Sequence, residues 1–286
     1  MLLKTIIHQG IQALSDIYPE DEARQMVLAC LEDMAGIKRH THILEPDYEL
    51  SDEMSATVSD AFRRMALGEP LQYVTGKAFF YGRTFSVDPS VLIPRPETEL
   101  LCRMAVQNAG PNARILDLCT GSGCIAWTLA LELPGSRVTA IDISSEALSV
   151  ASSQDFSDEI ALLNANAPSF VRADVLQNSL EGVEGRYDVI VSNPPYVMDS
   201  EKALMRSNVL EHEPHLALFV PDADPLMFYR PVAFHARRLL SDGGMGIVEI
   251  NEALGRQTAE VFLDAGFSET KVVKDLNGRD RFVVFR

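Results

Sequence analysis

The chain has 286 residues, 47% of them hydrophobic and 23% charged, the balance of an ordinary globular protein with length enough to bury a core. Its 25 Lys and Arg stand against 41 Asp and Glu, a formal net charge of -16. Such a surface is repelled by phosphate backbones, which argues against a protein whose main business is gripping nucleic acid. No apolar run reaches the ~18 residues of a membrane span. The N-terminus lacks a signal-peptide core, and Cys30, Cys102, Cys119 and Cys124 form no CxxC pair. A reduced, cytoplasmic protein with no membrane partner is expected. His212 and His215 lie close together without further ligand spacing, so no metal is expected.

Residues 1 to about 70 carry helical periodicity. Ile6, Ile7, Ile11, Leu14 and Ile17 recur at helical spacing, and Ala23, Met26, Val27, Cys30 and Leu31 do so again after Pro19. A third segment opens at Ser51 and runs through Val58, Phe62 and Met65. Together they predict a small helical bundle. Gly68-Glu69-Pro70 breaks the pattern, and Phe79 to Val87 reads as a β-hairpin with Gly82 near its turn. Two prolines flank Arg95, which keeps the chain extended there before a helix begins at Glu97 or Thr98. This segment is either a proline-rich linker or one that points Arg95 and Glu97 into a cleft.

From Arg114 strands and helices alternate. Ile115 to Leu118 is a strand, followed by Cys119-Thr120-Gly121-Ser122-Gly123-Cys124 and a helix through Leu129. Val138 to Asp142, Phe170 to Asp174, Tyr187 to Ser192 and Met245 to Ile250 are further strands. Asp224 to Leu240 and Gln257 to Ala265 read as helices, and Glu269 to Val273 with Arg281 to Phe285 as a closing antiparallel pair around Asn277-Gly278. This order predicts an α/β fold with a Rossmann-like sheet.

Asn193-Pro194-Pro195-Tyr196 follows a buried strand, at the sheet edge where ligands bind in such folds. Asn193 offers a carbonyl acceptor and an amide donor, while Pro194 and Pro195 have carbonyls but no N–H and fixed φ angles. Tyr196 adds a flat ring. Acceptors without competing donors, held stiffly beside an aromatic face, suit a planar group bearing an NH2. The tetrapeptide resembles the catalytic loop of methyltransferases that modify amino groups conjugated to planar systems, adenine-amino DNA methyltransferases and glutamine-amide protein methyltransferases among them.

Residues 121 to 126 formally fit the dinucleotide fingerprint G-x-G-x-x-A, but a hydride-handling group cannot be assigned. Three acids at successive strand ends favour a different ligand. Asp117 can face the amino end of a methionine moiety, and Asp142, about twenty residues past the glycines, a ribose hydroxyl. Asp174 can accept from an adenine amino group or simply cap its loop. These acids suit a cationic, adenosine-bearing cofactor, S-adenosylmethionine, and would repel a pyrophosphate.

With these residues in view the chain resembles the PrmC/HemK family, which methylates a glutamine side-chain amide in peptide-chain release factors. The resemblance runs from about Phe62 to the C-terminus. It rests on Gly68-Glu69-Pro70 with Tyr73 and Gly76, on Val91 to Leu100, on Asp117 to Gly123, on Asp142 and Asn193 to Tyr196, on Glu213-Pro214 with Ala217-Leu218, and on Asp275 to Arg281. Ile93-Pro94-Arg95-Pro96-Glu97-Thr98-Glu99 separates it from the DNA methyltransferases. Cys119 stands where the family usually has glycine, and a small insertion follows Ile250.

The resemblance implies a seven-stranded class I methyltransferase sheet over residues 96–286, a linking β-hairpin over 76–95, and an N-terminal helical domain over 1–75 that docks the release factor. It implies S-adenosyl-L-methionine as cofactor, S-adenosyl-L-homocysteine as product, a class I release factor bearing a Gly-Gly-Gln motif as substrate, and a monomer that binds no nucleic acid directly. Cofactor binding then falls to Asp117, Cys119, Thr120, Gly121, Ser122, Gly123, Asp142, Asp174, Val175 and Asn193. Catalysis falls to Asn193, Pro194 and Tyr196, and substrate binding to Asn193, Pro194, Pro195, Tyr196, Arg95 and Glu97. An adenine-amino DNA methyltransferase is the rival reading, as is a binding module without catalysis. The first lacks a basic recognition region here, and the intact loop argues against the second.

Overall fold

The computed structural model describes all 286 residues and divides them into two compact units. The first unit comprises residues 1–77 with 206–212. Its helices are Leu3–Leu14, Glu20–Ala35, Thr41–Leu44, Asp52–Ala66, Leu71–Thr75 and the short Ser207–His212. Ser51 caps the fourth by accepting from the Met54 N–H, and three acids occupy the first turn of the second, where they complement the helix dipole. Ile6, Leu14, Val27, Leu31, Val58, Phe62 and Met65 form its core. Gly10 is required by close packing, because a Cβ there would sit 2.7 Å from the Phe62 ring and 2.8 Å from Val27. The segment 206–212 was not expected in this unit; Arg206 pairs with Glu22 at 3.0 Å.

The second unit comprises residues 78–205 and 213–286. A hairpin of β1 (Lys77–Phe80) and β2 (Arg83–Ser86) turns through Tyr81 and Gly82, both at positive φ, the backbone that a two-residue hairpin loop demands. It is packed rather than free-standing. Phe80 and Phe85 are fully buried, and a chain of ring contacts runs from them through Phe156 to Trp127.

The sheet is built from β3 (Arg114–Leu118), β4 (Arg137–Asp142), β5 (Ser169–Arg172), β6 (Tyr187–Ser192), β9 (Leu240–Glu249), β10 (Thr270–Lys274) and β11 (Asp280–Phe285). A separate parallel pair joins β7 (Val197–Met198) to β8 (Phe219–Val220). The seven strands lie in the order β10-β11-β9-β6-β3-β4-β5. All neighbours are parallel except β9 with β11 and β11 with β10, the antiparallel edge expected from the closing strands. The central strands are covered on both faces, hence their largely apolar sequences. One core holds Trp127, Phe156, Leu129 and Val191; the other holds Tyr187, Tyr229, Phe262 and Phe285.

Two boundaries differ from expectation. The helix expected from Asp224 begins at Tyr229, because Asp224 is spent in a turn that takes the Met227 N–H and in an ion pair with Arg230. Strand β9 begins at Leu240 rather than Met245, since Leu240 pairs with Tyr187 across a bulge that absorbs Gly243 and Gly244.

The chain runs outward from β3 to β4 and β5, then returns to the other side of β3 as β6. That reversal opens a crevice at the C-terminal ends of β3 and β6. The register Leu118 opposite Ser192 sets the loop that begins at Cys119 beside the loop that begins at Asn193. Ser192 ties the two strands together by donating from its hydroxyl to the Leu118 carbonyl at 2.8 Å.

Candidate active site

The crevice holds a cavity of about 340 Å³, on the scale of a small-molecule site. Its walls bring together Arg95, Cys119, Thr120, Gly121, Ser122, Asp142, Asp174, Val175, Asn193 and Pro195, all singled out from the sequence. Apolar faces from Leu92, Ile125, Ile141 and Phe228 complete it. Asp117, Gly123, Pro194, Tyr196 and Glu97 do not line it.

The glycine turn is shaped by left-handed backbone at Cys119, Gly121 and Gly123, with φ of 62°, 54° and 78°. At Gly123 a Cβ would meet the Ala151 Cβ at 2.9 Å, so only glycine lets the following helix pack there. Cys119 holds the same backbone with a side chain, at a local strain cost of about 1–2 kcal/mol. Its thiol is pushed well above the usual range by burial and by Asp142 and Asp117, so it is an unreactive wall.

Asp142 fixes this turn. Its Oδ2 accepts from the Gly121 N–H at 2.9 Å and its Oδ1 from the Ser144 N–H at 3.0 Å. Burial raises its pKa, against the backbone donors of Ser144, Gly121 and Ile143. Of the two readings of Asp174, the structure shows the loop cap. Asp174 caps its loop through Leu176 N–H at 2.9 Å and the Gln177 amide at 3.1 Å, and it lines the cavity. The carbonyl of Val175 is held by buried His235 at 3.0 Å.

Asp117 lies beneath the turn, fully buried. Its Oδ2 accepts from the Thr120 hydroxyl at 2.6 Å, while Oδ1 has no hydrogen-bond partner. Burial pushes its pKa up to about 7, with the Thr120 bond opposing and Asp142 adding to the rise. An orphaned carboxylate oxygen below a cavity walled by Asp142 and Asp174 fits a ligand that carries positive charge and an adenosine. It does not fit a pyrophosphate.

Asn193 stands at the end of β6. Its Nδ2 donates to the Thr98 hydroxyl oxygen at 3.3 Å, and its Oδ1 makes no hydrogen bond within the protein. Thr98 is buried in a 3-10 turn, Pro96–Thr98, and donates to Glu249 Oε2 at 2.7 Å. The other oxygen of Glu249 accepts from the Tyr196 hydroxyl at 3.0 Å. Tyr196 is thus anchored by its phenol to Glu249 and does not line the cavity. Asn251 donates to the Tyr196 carbonyl at 3.2 Å, and Tyr229 donates to the Glu249 carbonyl at 3.1 Å. Arg95 is held by buried Glu213, which also accepts from the Ile93 N–H at 3.2 Å.

Sequence reasoning missed Thr98, Glu249 and the anchoring role of Glu213. Thr98 reads as a helix start and Glu249 as the end of a strand; only the fold brings them together.

A parallel sheet with an antiparallel edge, and a cation-accepting cavity at its switch point, define a class I S-adenosylmethionine-dependent methyltransferase. Residues 96–216 match the family model of the methyltransferase small domain, and residues 5–76 that of the PrmC N-terminal domain. The chain is 42% identical to a release factor glutamine methyltransferase of Bacteroides thetaiotaomicron, over 95% of each chain. It is 39% identical to one of Flavobacterium psychrophilum, over 99% of this chain and 98% of the other. A solved protein-(glutamine-N5) methyltransferase, release factor-specific, from Alicyclobacillus acidocaldarius is 29% identical, covers 70% of this chain and 98% of its own, and superposes with a TM-score of 0.41. The chain belongs to the release factor glutamine methyltransferase family.

Proposed function

We propose that the protein methylates the side-chain amide nitrogen of a glutamine in class I peptide-chain release factors. The carrying observation is Asn193, which lines the cavity with its NH2 end turned to Thr98, to which it gives one of its two N–H donors, and its Oδ1 unengaged. An unengaged carbonyl acceptor beside a cation-accepting cavity suits a group that brings N–H donors. S-adenosylmethionine, when bound, supplies an electrophilic methyl group and leaves as S-adenosylhomocysteine.

A carboxamide nitrogen is a poor nucleophile because its lone pair is delocalised into the carbonyl, so orientation matters more than a strong base. Asn193 Oδ1 and the Pro194 carbonyl accept the two amide hydrogens and stabilise positive charge developing on the nitrogen. Pro194 and Pro195 keep these acceptors stiff without offering competing N–H groups. The proton leaves to water. The glycine turn and Asp142, Asp174, Val175 and Asp117 hold the cofactor, and Arg95, on its Glu213 anchor, borders the substrate side. Glu97 belongs to that substrate border by family likeness alone. The helical unit docks the release factor, the reading that its family match supports, and the enzyme acts as a cytoplasmic monomer.

The net charge of -16 favours a protein substrate over DNA. The test offers labelled S-adenosylmethionine with a release factor and a DNA duplex side by side. Label on a release-factor glutamine and none on DNA is expected; label on adenine, or on neither, overturns the reading.

A further inference from the structure

One carboxylate stands behind both ends of the Asn193-Pro194-Pro195-Tyr196 loop. Glu249 is 1% exposed and sits at the end of β9, next to the strand that delivers Asn193. Its Oε2 accepts a hydrogen bond from the Thr98 hydroxyl and its Oε1 accepts one from the Tyr196 hydroxyl. A hydroxyl has one proton to give. Once Thr98 has given its own to Glu249, it can only accept from Asn193. The carboxamide of Asn193 must therefore turn its NH2 end toward Thr98, which leaves its carbonyl end for the cavity. Were Thr98 free to donate elsewhere, it could equally donate to Asn193 Oδ1, and the amide would present its donors to the substrate instead. A substrate amide nitrogen needs acceptors, so that flipped arrangement would repel it.

We infer that Glu249 and Thr98 are positioning residues: the Glu249 carboxylate, relayed through Thr98, fixes which end of Asn193 meets the substrate amide, and through Tyr196 it pins the far end of the same loop. This rests on the role given to Asn193 above and adds the device that selects its orientation. Tyr196 thereby acts from behind the loop. Burial raises the Glu249 pKa, and the Thr98 and Tyr196 hydroxyls oppose that rise, as does half-buried Arg281, which is itself bound to Asp275 at 3.2 Å. The arrangement is specific in its chemistry. An ionised carboxylate is acceptor-only, so it leaves Thr98 and Tyr196 no choice of direction, whereas an amide in its place would offer an acceptor oxygen at one end and an NH2 donor at the other.

The test compares full-length wild type with Thr98→Val, Thr98→Ser, Glu249→Gln and Asn193→Ala, and with Thr98→Val combined with Asn193→Ala. Rates are measured on a purified release factor with S-adenosylmethionine. Calorimetry with S-adenosylhomocysteine and thermal melting accompany them. Thr98→Val is expected to lower kcat by about tenfold to a hundredfold, the scale of a misplaced reacting group, with S-adenosylhomocysteine affinity held within about threefold. Thr98→Ser keeps the hydroxyl and should recover most of kcat. In the Asn193→Ala background Thr98→Val should cost nothing further, because there is no amide left to orient.

Thr98→Val with near-normal kcat, equal losses in Val and Ser variants, or additive losses in the double variant would each overturn the inference. Should Thr98→Val fail to fold, Glu249→Gln, which keeps the shape of the side chain, decides: a loss of at least about tenfold in kcat supports the relay, and full activity removes it. Activity retained by Asn193→Ala would instead overturn the reading of Asn193 itself, so the two failures are distinguishable.

Discussion

Arg95 and Glu213 are joined at 2.6 Å across 118 positions of sequence, and the Glu213 side chain is 1% exposed while that of Arg95 is 32% exposed. Glu213 also accepts from the Ile93 N–H, so one carboxylate holds both the backbone and the guanidinium of the proline-flanked segment at the cavity wall.

Removing Arg95 leaves that carboxylate buried with a single backbone donor. A fully buried pair broken this way costs ~3–5 kcal/mol; the partial exposure of Arg95 reduces the expectation for Arg95→Ala to about 2 kcal/mol. Chemical denaturation should show a lower midpoint with an unchanged slope. A midpoint equal to wild type would mean the pair contributes nothing to this wall.

Asp117 makes stability depend on pH in a direction opposite to that of an ordinary paired carboxylate. Burial raises its folded pKa to about 7, against ~3.9 in an unfolded chain. Its contribution is therefore fully present below about pH 4 and is lost as pH rises through about 7. Asp117→Asn removes this loss. The stability of that variant relative to wild type, without cofactor, should increase between pH 5 and pH 8 by on the order of 2 kcal/mol. A pH-independent difference would contradict the placement of this proton.

Gly246 lies under the ring of Phe285, and a Cβ there would come within 1.9 Å of it. Phe285 is itself stacked on Phe262 with centroids 4.0 Å apart and edge-on to Phe267 at 4.6 Å, so it has nowhere to retreat. Gly246→Ala should destabilise the protein by about 3 kcal/mol, the upper range of overpacking, as read from thermal melting. A melting temperature within a degree of wild type would show that this core yields more than its ring contacts suggest.

Much of the sheet was legible from residue pattern, because its central strands are buried on both faces and read as short, largely apolar runs. Ile115 to Leu118 and Tyr187 to Ser192 are examples, and the turn residues after each mark the ligand edge. The start of β9 was not legible, since Gly243 and Gly244 look like a loop and are in fact a bulge. Nor was the short helix Thr41–Leu44, whose four residues are too few for periodicity to register. Within the site, residues that act by backbone shape, such as Gly121, could be found because turns have chemical signatures. Thr98 and Glu249 could not. They are 151 positions apart, each has a commonplace local reading, and their meaning lies in who holds whose proton.

The most direct test of the central claim is the single-turnover rate of Asn193→Ala on a release factor, measured beside its affinity for S-adenosylhomocysteine. Cofactor binding within about threefold of wild type, with transfer reduced by at least about a hundredfold, is the expected result for a group that orients and stabilises the reacting amide. Transfer at a near-normal rate would contradict the account, because the reacting nitrogen would then be held by something other than Asn193.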